Sequence, residues 1–294
     1  MSSFHKPVLL KEAIDGLRVE KNKKYIDATL GGGGHSGEIL RRGGIVLGLD
    51  ADQEAIEYIK NNFIRRIGGS NFKLTLVRGN FRDIDKIARD TNFDKVAGII
   101  FDLGVSSHQI DNPKRGFSFQ NEGPLDMRMD QQLGVRALDL IKILTKGELY
   151  EIFTKFGEES RAWAISDAIV RARSIKPIVT TGELAKIVFT RAGQSKKVFQ
   201  ALRIVVNDEL NSIMQALPYA LELLQENGRL CVISFHSLED RIVKRKFIEF
   251  EEKGMGKIIT EKPIVPSIEE LRVNKRARSA KLRIFSARGG SALG

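Results

Sequence analysis

Apolar and polar positions follow two different periods along the chain. Between Tyr25 and Gly104, short apolar runs alternate with amphipathic segments, which is the pattern of strands and helices in βαβ units. A polar stretch that is punctuated by glycine and proline follows at Ser106–Asp130, and after it the apolar spacing is helical up to Asn207. Strand patterns return in the last part of the chain, at Leu230–Phe235, Lys257–Val265 and Lys281–Ala287. The pattern therefore predicts an α/β domain that is interrupted by a helical insertion.

Local start and bend signals refine the predicted helices. Thr145–Glu148 and Thr180–Glu183 have the spacing of a capping box, so each predicts a helix N-terminus. Ser237 is predicted to cap a further helix after the fifth strand. The amphipathic stretch Val198–Gln225 predicts one long helix with a bend at Pro218.

A glycine-rich loop follows the first predicted strand. It contains Gly-x-Gly-x-x-Gly at Gly32, Gly34 and Gly37, and the strand after it ends on Asp50. Glycines let the backbone approach a ligand closely, and an acid at the end of the next strand can accept hydrogen bonds from ribose hydroxyls. This combination predicts a site for a cofactor that contains a nucleoside.

Three further residues discriminate between cofactors of that kind. Asp27 lies directly before the glycines, Phe81 follows the third strand, and Asp102 ends the fourth. A dinucleotide needs a seat for its pyrophosphate, whereas a sulfonium cofactor carries an α-ammonium group that a carboxylate such as Asp27 attracts. Phe81 is placed to pack against an adenine. We therefore predict S-adenosylmethionine rather than a nicotinamide as the cofactor.

The end of the chain bears on the fold class. A sheet that closes with a hairpin, rather than with further βαβ units, argues against a dinucleotide-binding fold of two equal halves. We predict an α/β fold, the class I (Rossmann-like) seven-stranded methyltransferase sheet with an inserted all-helical domain. The predicted boundaries place the S-adenosylmethionine-binding domain in residues 1–112 and 208–294, and a helical substrate-recognition domain in residues 113–207.

Composition narrows the compartment and the partner. No apolar run reaches the ~18 residues of a membrane span, the N-terminus lacks the apolar core of a signal peptide, and Cys231 is the single cysteine. These features predict a cytoplasmic protein with no membrane partner. The 48 basic and 37 acidic residues give a net charge of +11, and much of the excess lies between Arg241 and Arg288. A basic tail is often only solubilising, but clustered basic residues are also the electrostatic signature of a polyanion partner.

Longer motifs give the chain a family resemblance. It resembles the RsmH (MraW) family, which methylates N4 of a cytidine in the decoding region of 16S ribosomal RNA. The segments that carry the resemblance span the whole chain: His5–Leu10, Gly31–Ser36, Asp102–Ser107, Arg115–Phe119, Gly123–Asp130, Phe199–Arg203, Val206–Leu210, Ile233–Arg241 and Arg276–Ser279. The run of four glycines is a small departure from the family pattern.

The resemblance implies an activity, a partner and a set of binding residues. The implied enzyme is an S-adenosylmethionine-dependent rRNA (cytosine-N4-)-methyltransferase, and the implied partner is 16S rRNA or the small ribosomal subunit. Family members bind the cofactor at positions that read here Gly33, Gly34, His35, Asp50, Phe81, Asp102 and Gln109.

Methyl transfer from a sulfonium is an in-line displacement, so the enzyme mainly positions donor and acceptor. Methylation of cytosine carbon 5 would need a cysteine nucleophile, and Cys231 lies in the middle of an apolar strand, where it is expected to pack in the core. A nitrogen or oxygen target therefore remains. Asp102 is the first candidate for a residue that binds cofactor and also orients an exocyclic amine.

The histidines are the candidates for a general base, and three aromatic residues are candidates for contact with the substrate base. His236 and His108 are candidates, with His5 ranked below them, although a lone loop histidine is more often structural. Phe117, Phe119 and Trp163 could stack a displaced base, with core packing the favoured reading for Trp163. The histidines and Cys231 are too scattered to predict a zinc site.

Two other functions compete with the enzyme. One is a cofactor-bound assembly factor that holds rRNA without reacting, and the other is a nicotinamide dehydrogenase, which a bare glycine motif would suggest. The Asp102–Gln109 segment and the glycine loop favour the methyltransferase.

Overall fold

The chain divides into two compact units. The computed structural model describes residues 7–67 and 72–288, and the side chains of all of these except residues 63–67. The first unit, here the sheet unit, comprises Met1–Gly104 and Leu210–Gly294, and the second, the helical unit, comprises Val105–Glu209. The division thus falls at residues 104/105 and 209/210, and the roles assigned to the two domains stay predictions.

One sheet organises the sheet unit. Its strands within the described residues are β1 Lys24–Asp27, β2 Ile45–Asp50, β3 Leu74–Arg78, β4 Val96–Asp102, β5 Leu224–Ser234, β6 Gly256–Ile258 and β7 Lys281–Ala287. Their order is β3-β2-β1-β4-β5-β7-β6. The first five strands are parallel, and β7 runs antiparallel to both β5 and β6. The predicted seven-stranded class I sheet with a closing hairpin is confirmed.

The helices fall into two groups along the chain. The sheet unit contains α1 Leu10–Leu17, α2 Gly34–Arg41, α3 Gln53–Ile67, α4 Ile84–Asp90, α11 Glu209–Glu222 (which begins at the unit boundary), α12 Ser237–Glu252 and α13 Ile268–Val273. The helical unit contains α5 Ser107–Asp111, α6 Ala137–Ile143, α7 Lys146–Lys155, α8 Ala162–Ile175, α9 Thr181–Ala192 and α10 Lys196–Asn207. Among the described residues, none of the helices combines the length and the apolar composition needed to cross a bilayer.

Strand β4 is buried on both faces, as its continuous apolar run predicts. Ile99 and Phe101 contribute to the apolar cluster on one face of the sheet, and Ala97 and Ile100 contribute to the cluster on the other. Successive side chains of a strand point to opposite faces, so β4 anchors both helical layers. It therefore holds Asp102, at its carboxyl end, in a fixed position.

Local capping signals were accurate in the helical unit. The side chain of Thr145 accepts from the backbone N–H of Glu148, and Thr180 does the same for Glu183, so both predicted capping boxes are present. Buried Arg115 organises the irregular segment before α6, because its guanidinium donates to the carbonyls of Arg128 and Met129.

Three predicted elements were wrong in detail. The stretch Val198–Gln225 is two helices rather than one, because the chain turns at Asp208 in a left-handed conformation (φ 49°), while Pro218 is accommodated inside α11. The sixth strand ends at Ile258, well before the predicted Val265, and an isolated bridge joins Ile264 to Leu282 further along the chain. The N-cap of α12 is His236 rather than Ser237.

Candidate functional site

The carboxyl ends of three adjacent strands bring three aspartates to one edge of the sheet. Strands β2, β1 and β4 are neighbours, and they end on Asp50, Asp27 and Asp102. Ligands of open α/β sheets bind at this edge. We call this group of carboxylates, with the glycine loop that follows β1, the cofactor edge.

Asp50 is fixed by two backbone amides. The N–H of Gly31 donates to Oδ2 at 2.8 Å, and the N–H of Asp52 donates to Oδ1 at 2.8 Å. Each carboxylate oxygen can accept more than one hydrogen bond, so both remain able to accept from a diol such as a ribose. Burial raises the pKa of Asp50 to about 7, although the two amides favour the ionised form.

The glycine loop has one position that requires glycine for conformation and one that requires it for space. Gly33 has φ 71°, in the left-handed region that side chains disfavour, and it caps α2. A Cβ at Gly34 would lie 2.7 Å from Cβ of Pro7, so a larger residue there would displace the N-terminal segment. Both glycines therefore determine the backbone path of the loop, and their close approach to a cofactor stays a prediction.

Nδ1 of His35 and Oδ2 of Asp102 face each other, and each can accept a hydrogen bond. Nε2 of His35 lies 3.1 Å from the carbonyl of Val8, which can only accept, so Nε2 carries the proton. Burial lowers the pKa of His35 to about 4, and the ring is therefore neutral. Its Nδ1 then presents a lone pair to Oδ2 of Asp102, at a distance of 3.7 Å.

This arrangement fits a cationic group. Burial raises the pKa of both Asp27 and Asp102, and the negative charge of Asp27 raises that of Asp102 further. Asp27 is held by the hydroxyl of Ser36, which donates to Oδ2 at 2.6 Å. Acceptors clustered out of water favour a nearby positive charge. The α-ammonium of S-adenosylmethionine would supply one, and the cofactor edge is therefore chemically suited to that cofactor.

Two other predicted binding residues lie in different units. Phe81 belongs to the sheet unit, where it packs edge-to-face on Phe101 with ring centroids 5.6 Å apart. Gln109 belongs to the helical unit, where it is buried and forms a capping box with Ser106 at the start of α5. The structure describes each in its own unit, and their joint role stays a prediction.

His236 makes structural contacts. Its Nδ1 accepts from the backbone N–H of Glu239, and its Nε2 lies 3.0 Å from Oε1 of Glu239. Glu239 is fully buried and also accepts from the N–H of Phe235. This favours a capping role for His236 over general-base catalysis. The other histidine candidates are His108, which lies on α5, and His5, which lies outside the described residues.

Cys231 is unsuited to nucleophilic attack. It is fully buried in β5, with Sγ 3.7 Å from the carbonyl of Ala13. Burial raises the pKa of its thiol, and the thiolate is the reactive form. The expected core role of Cys231 agrees with these contacts.

One of the aromatic candidates differs from expectation. Trp163 is 55% exposed, so its predicted core packing is wrong. It lies edge-to-face with Tyr150, at 5.5 Å between centroids, and Lys146 Nζ stands 4.0 Å from the centre of its ring. Phe119 is partly exposed and packs on Phe199. We call Trp163, Tyr150 and Lys146 the aromatic cluster of the helical unit.

A basic segment lies near the cofactor edge within the sheet unit. Lys275, Arg276 and Arg278 are exposed on a 3₁₀ turn that leads directly into β7. The first residue of β7, Lys281, pairs with Ser234 at the carboxyl end of β5. These three basic residues therefore lie toward the same edge of the sheet as the carboxylates.

Comparison with known proteins decides the family. The model of the MraW methylase family matches residues 2–288. The chain belongs to the MraW methylase family. It is 45% identical to the ribosomal RNA small subunit methyltransferase H of Carboxydothermus hydrogenoformans, over 96% of this chain and 97% of that protein. It is 43% identical to the protein of the same name from Halothermothrix orenii, over 95% and 97% of the two chains.

A likeness to solved structures is weaker. An rRNA methylase structure from Streptococcus thermophilus is 11% identical, covers 97% of this chain and 99% of that chain, and has a TM-score of 0.47. The argument for the family therefore rests on sequence. The predicted family is confirmed. The predicted enzyme class, a methyltransferase, and the predicted cofactor, S-adenosylmethionine, are confirmed with it.

Proposed function

We propose that this MraW methylase family member N4-methylates a cytidine in the decoding region of 16S rRNA, with S-adenosylmethionine as methyl donor. The observation that carries the proposal is the cofactor edge of a chain whose relatives are named ribosomal RNA small subunit methyltransferase H. The basic segment at the same edge suits a polyanionic substrate. Such a substrate would place the enzyme in the cytoplasm.

The residues of the cofactor edge divide the binding task. Asp50 would accept hydrogen bonds from the ribose hydroxyls, since its two backbone partners already orient both carboxylate oxygens. Asp102 and His35 would accept from the α-ammonium. Phe81 would pack against the adenine, and the glycine loop would lie along the cofactor. The bound cofactor supplies an electrophilic methyl group on its sulfonium.

Asp102 is also the better candidate for work on the nucleobase. The lone pair of an exocyclic amine is delocalised into the ring, and an acceptor that takes a hydrogen bond from the N–H helps to free it. Burial raises the pKa of Asp102 well above its usual range, which makes its carboxylate a stronger base than an exposed one. His236 is committed to Glu239. We therefore assign the amine-orienting role to Asp102.

The product of the reaction tests this proposal. Small subunits from a strain lacking the gene would be incubated with the protein and S-adenosylmethionine that carries a labelled methyl group. Nucleosides from the digested rRNA would then be separated and identified by mass spectrometry. We expect labelled N4-methylcytidine, and none with subunits from the parent strain, whose site is already modified.

Other outcomes separate the alternatives. Binding of both cofactor and subunits without any labelled nucleoside would indicate the non-catalytic assembly factor. Labelled 5-methylcytidine would contradict a nitrogen target.

A further inference from the structure

Residues Pro7–Leu9 form a strap over the start of α2. Val8 and Leu9 are fully buried, and three ring atoms of Pro7 lie 2.7–3.1 Å from the position that a Cβ of Gly34 would take. We call Pro7–Leu9 the N-terminal strap. Leu9 has φ 50° and ψ 36°, a left-handed conformation that a leucine keeps only when its surroundings hold it.

Two long-range hydrogen bonds hold the strap. The backbone N–H of Leu9 donates to Oε1 of Glu270 at 2.9 Å. The carbonyl of Val8 accepts from Nε2 of His35, with 3.1 Å between the atoms. Glu270 therefore contacts one residue of the strap, and His35 contacts its neighbour. A chain of direct contacts joins α13 to the cofactor edge.

The contact with Val8 decides which nitrogen of His35 carries the proton. While Val8 accepts from Nε2, the neutral ring keeps a lone pair on Nδ1, and this lone pair faces Asp102. Without that contact the proton could move to Nδ1 and be donated to Asp102 Oδ2, 3.7 Å away. The acceptor pair that suits an ammonium group would then be lost.

We propose that Glu270 is a positioning residue of the cofactor site, which holds Leu9 and the N-terminal strap so that His35 and Asp102 both present acceptors to the α-ammonium of S-adenosylmethionine. The inference rests on the proposed assignment of the cofactor edge. Glu270 is partly exposed and lies on a short helix before the basic segment. Its negative charge also raises the pKa of Asp102, so its charge and its hydrogen bond to Leu9 have to be tested separately.

Two conservative substitutions distinguish the effect of the side-chain length of Glu270 from the effect of its negative charge. Glu270→Gln keeps an oxygen at the same distance from Leu9 but removes the negative charge. Glu270→Asp keeps the charge but shortens the side chain by one methylene, so it no longer reaches Leu9. Glu269→Asp, at the exposed neighbouring position of the same helix, is the matched control.

Affinity for S-adenosylmethionine would be measured by calorimetry on the full chain. We expect Glu270→Asp to weaken binding about tenfold, whereas Glu270→Gln and Glu269→Asp stay within about threefold of wild type. In steady-state assays the KM for S-adenosylmethionine should rise in Glu270→Asp with little change in kcat, because the amine-orienting residue Asp102 is retained.

A spectroscopic readout reports the proton of His35 directly. In protein with ¹⁵N-labelled histidine, the ring nitrogens distinguish the two tautomers, and a His35→Gln variant assigns the signals. We expect the Nε2–H form in wild type and in Glu270→Gln, and its loss in Glu270→Asp. A merely structural Glu270 would leave this signal unchanged.

Three outcomes would overturn the inference. They are wild-type affinity in Glu270→Asp, equal weakening in Glu270→Gln and Glu270→Asp, and an unchanged His35 signal in Glu270→Asp. Failure of wild-type protein to bind S-adenosylmethionine would instead contradict the proposed function, so the two failures are distinguishable.

Discussion

The cofactor edge and the aromatic cluster differ in how far their charged side chains are exposed to water. At the cofactor edge, Asp27 and Asp102 are withdrawn from water and their pKa values are raised by burial. In the helical unit, Lys146 pairs with Asp167 in a partly exposed bridge, beside the exposed ring of Trp163. Buried charges interact strongly with a ligand, whereas exposed pairs contribute little each.

This difference predicts how much each residue contributes to binding at the two sites. A small cofactor meets a few buried groups, so each substitution at the cofactor edge should have a large effect. A polynucleotide meets many exposed groups, through phosphate contacts and stacked bases, so each substitution on the helical unit should have a small one.

The largest effect is expected at Asp102. Asp102→Ala removes a cofactor contact and the proposed partner of the amine, so methyl transfer should fall at least about 100-fold. The measurement is single-turnover transfer of labelled methyl to small subunits. Cys231→Ser is the control, because a nitrogen target requires no covalent adduct. It should retain most activity, with a modest loss of thermal stability from a hydroxyl in an apolar strand. A folded, cofactor-binding but inactive Cys231→Ser protein would contradict the nitrogen-target mechanism.

An intermediate effect is expected at Asp50. Charge-assisted hydrogen bonds contribute about 1.5–3 kcal/mol each, so Asp50→Ala should weaken S-adenosylmethionine binding tenfold or more.

The affinity of the wild-type protein should also depend on pH through Asp50. Ribose hydroxyls prefer an ionised acceptor, and the pKa of Asp50 in the free protein is about 7. Wild-type affinity should therefore increase as the pH rises from about 6 to 8, since more of Asp50 is then ionised. Calorimetry across that range should give a flatter profile for Asp50→Ala, and a profile as steep as that of wild type would remove Asp50 from the ribose site.

The smallest effect is expected at Trp163. It is the only tryptophan of the chain, so its fluorescence reports its surroundings without a label. A stacked base should quench it, and Trp163→Ala should weaken RNA binding about fivefold, near the lower end of base-stacking energies. Trp163→Phe should restore most of the loss, and Phe189→Ala, at another exposed aromatic of the helical unit, serves as the control. Emission that is unchanged at saturating RNA would show that Trp163 does not contact the substrate.

The same contrast explains what could be predicted from sequence. Asp27, Asp50 and Asp102 were predictable as neighbours because parallel strands place their carboxyl ends at one edge, and the glycine loop identified that edge. The capping boxes of α7 and α9 were predictable because their signals are local.

Features that depend on distant contacts were not predictable. Glu270 meets Leu9 across 261 positions of sequence, and no local pattern marks either residue. Trp163 occurs at a helical spacing that suits a core, and only the packing of α7 against α8 shows that its ring faces outward. The left-handed turn at Asp208 divided a stretch whose apolar period alone predicts one helix.

The order of the strands in the chain constrains how the protein folds during its synthesis. Strand β4 pairs with β5, yet the whole helical unit lies between them in sequence. During synthesis, β1 to β4 leave the ribosome long before β5 exists, so one side of β4 has no partner while the helical unit is translated. The helical unit has its own apolar core from residues 125–206 and can fold in that interval. Closure of the sheet is a late, non-local step, and a nascent chain arrested before residue 224 would expose the unpaired backbone edge of β4, together with apolar side chains that β5 later covers, to chaperones.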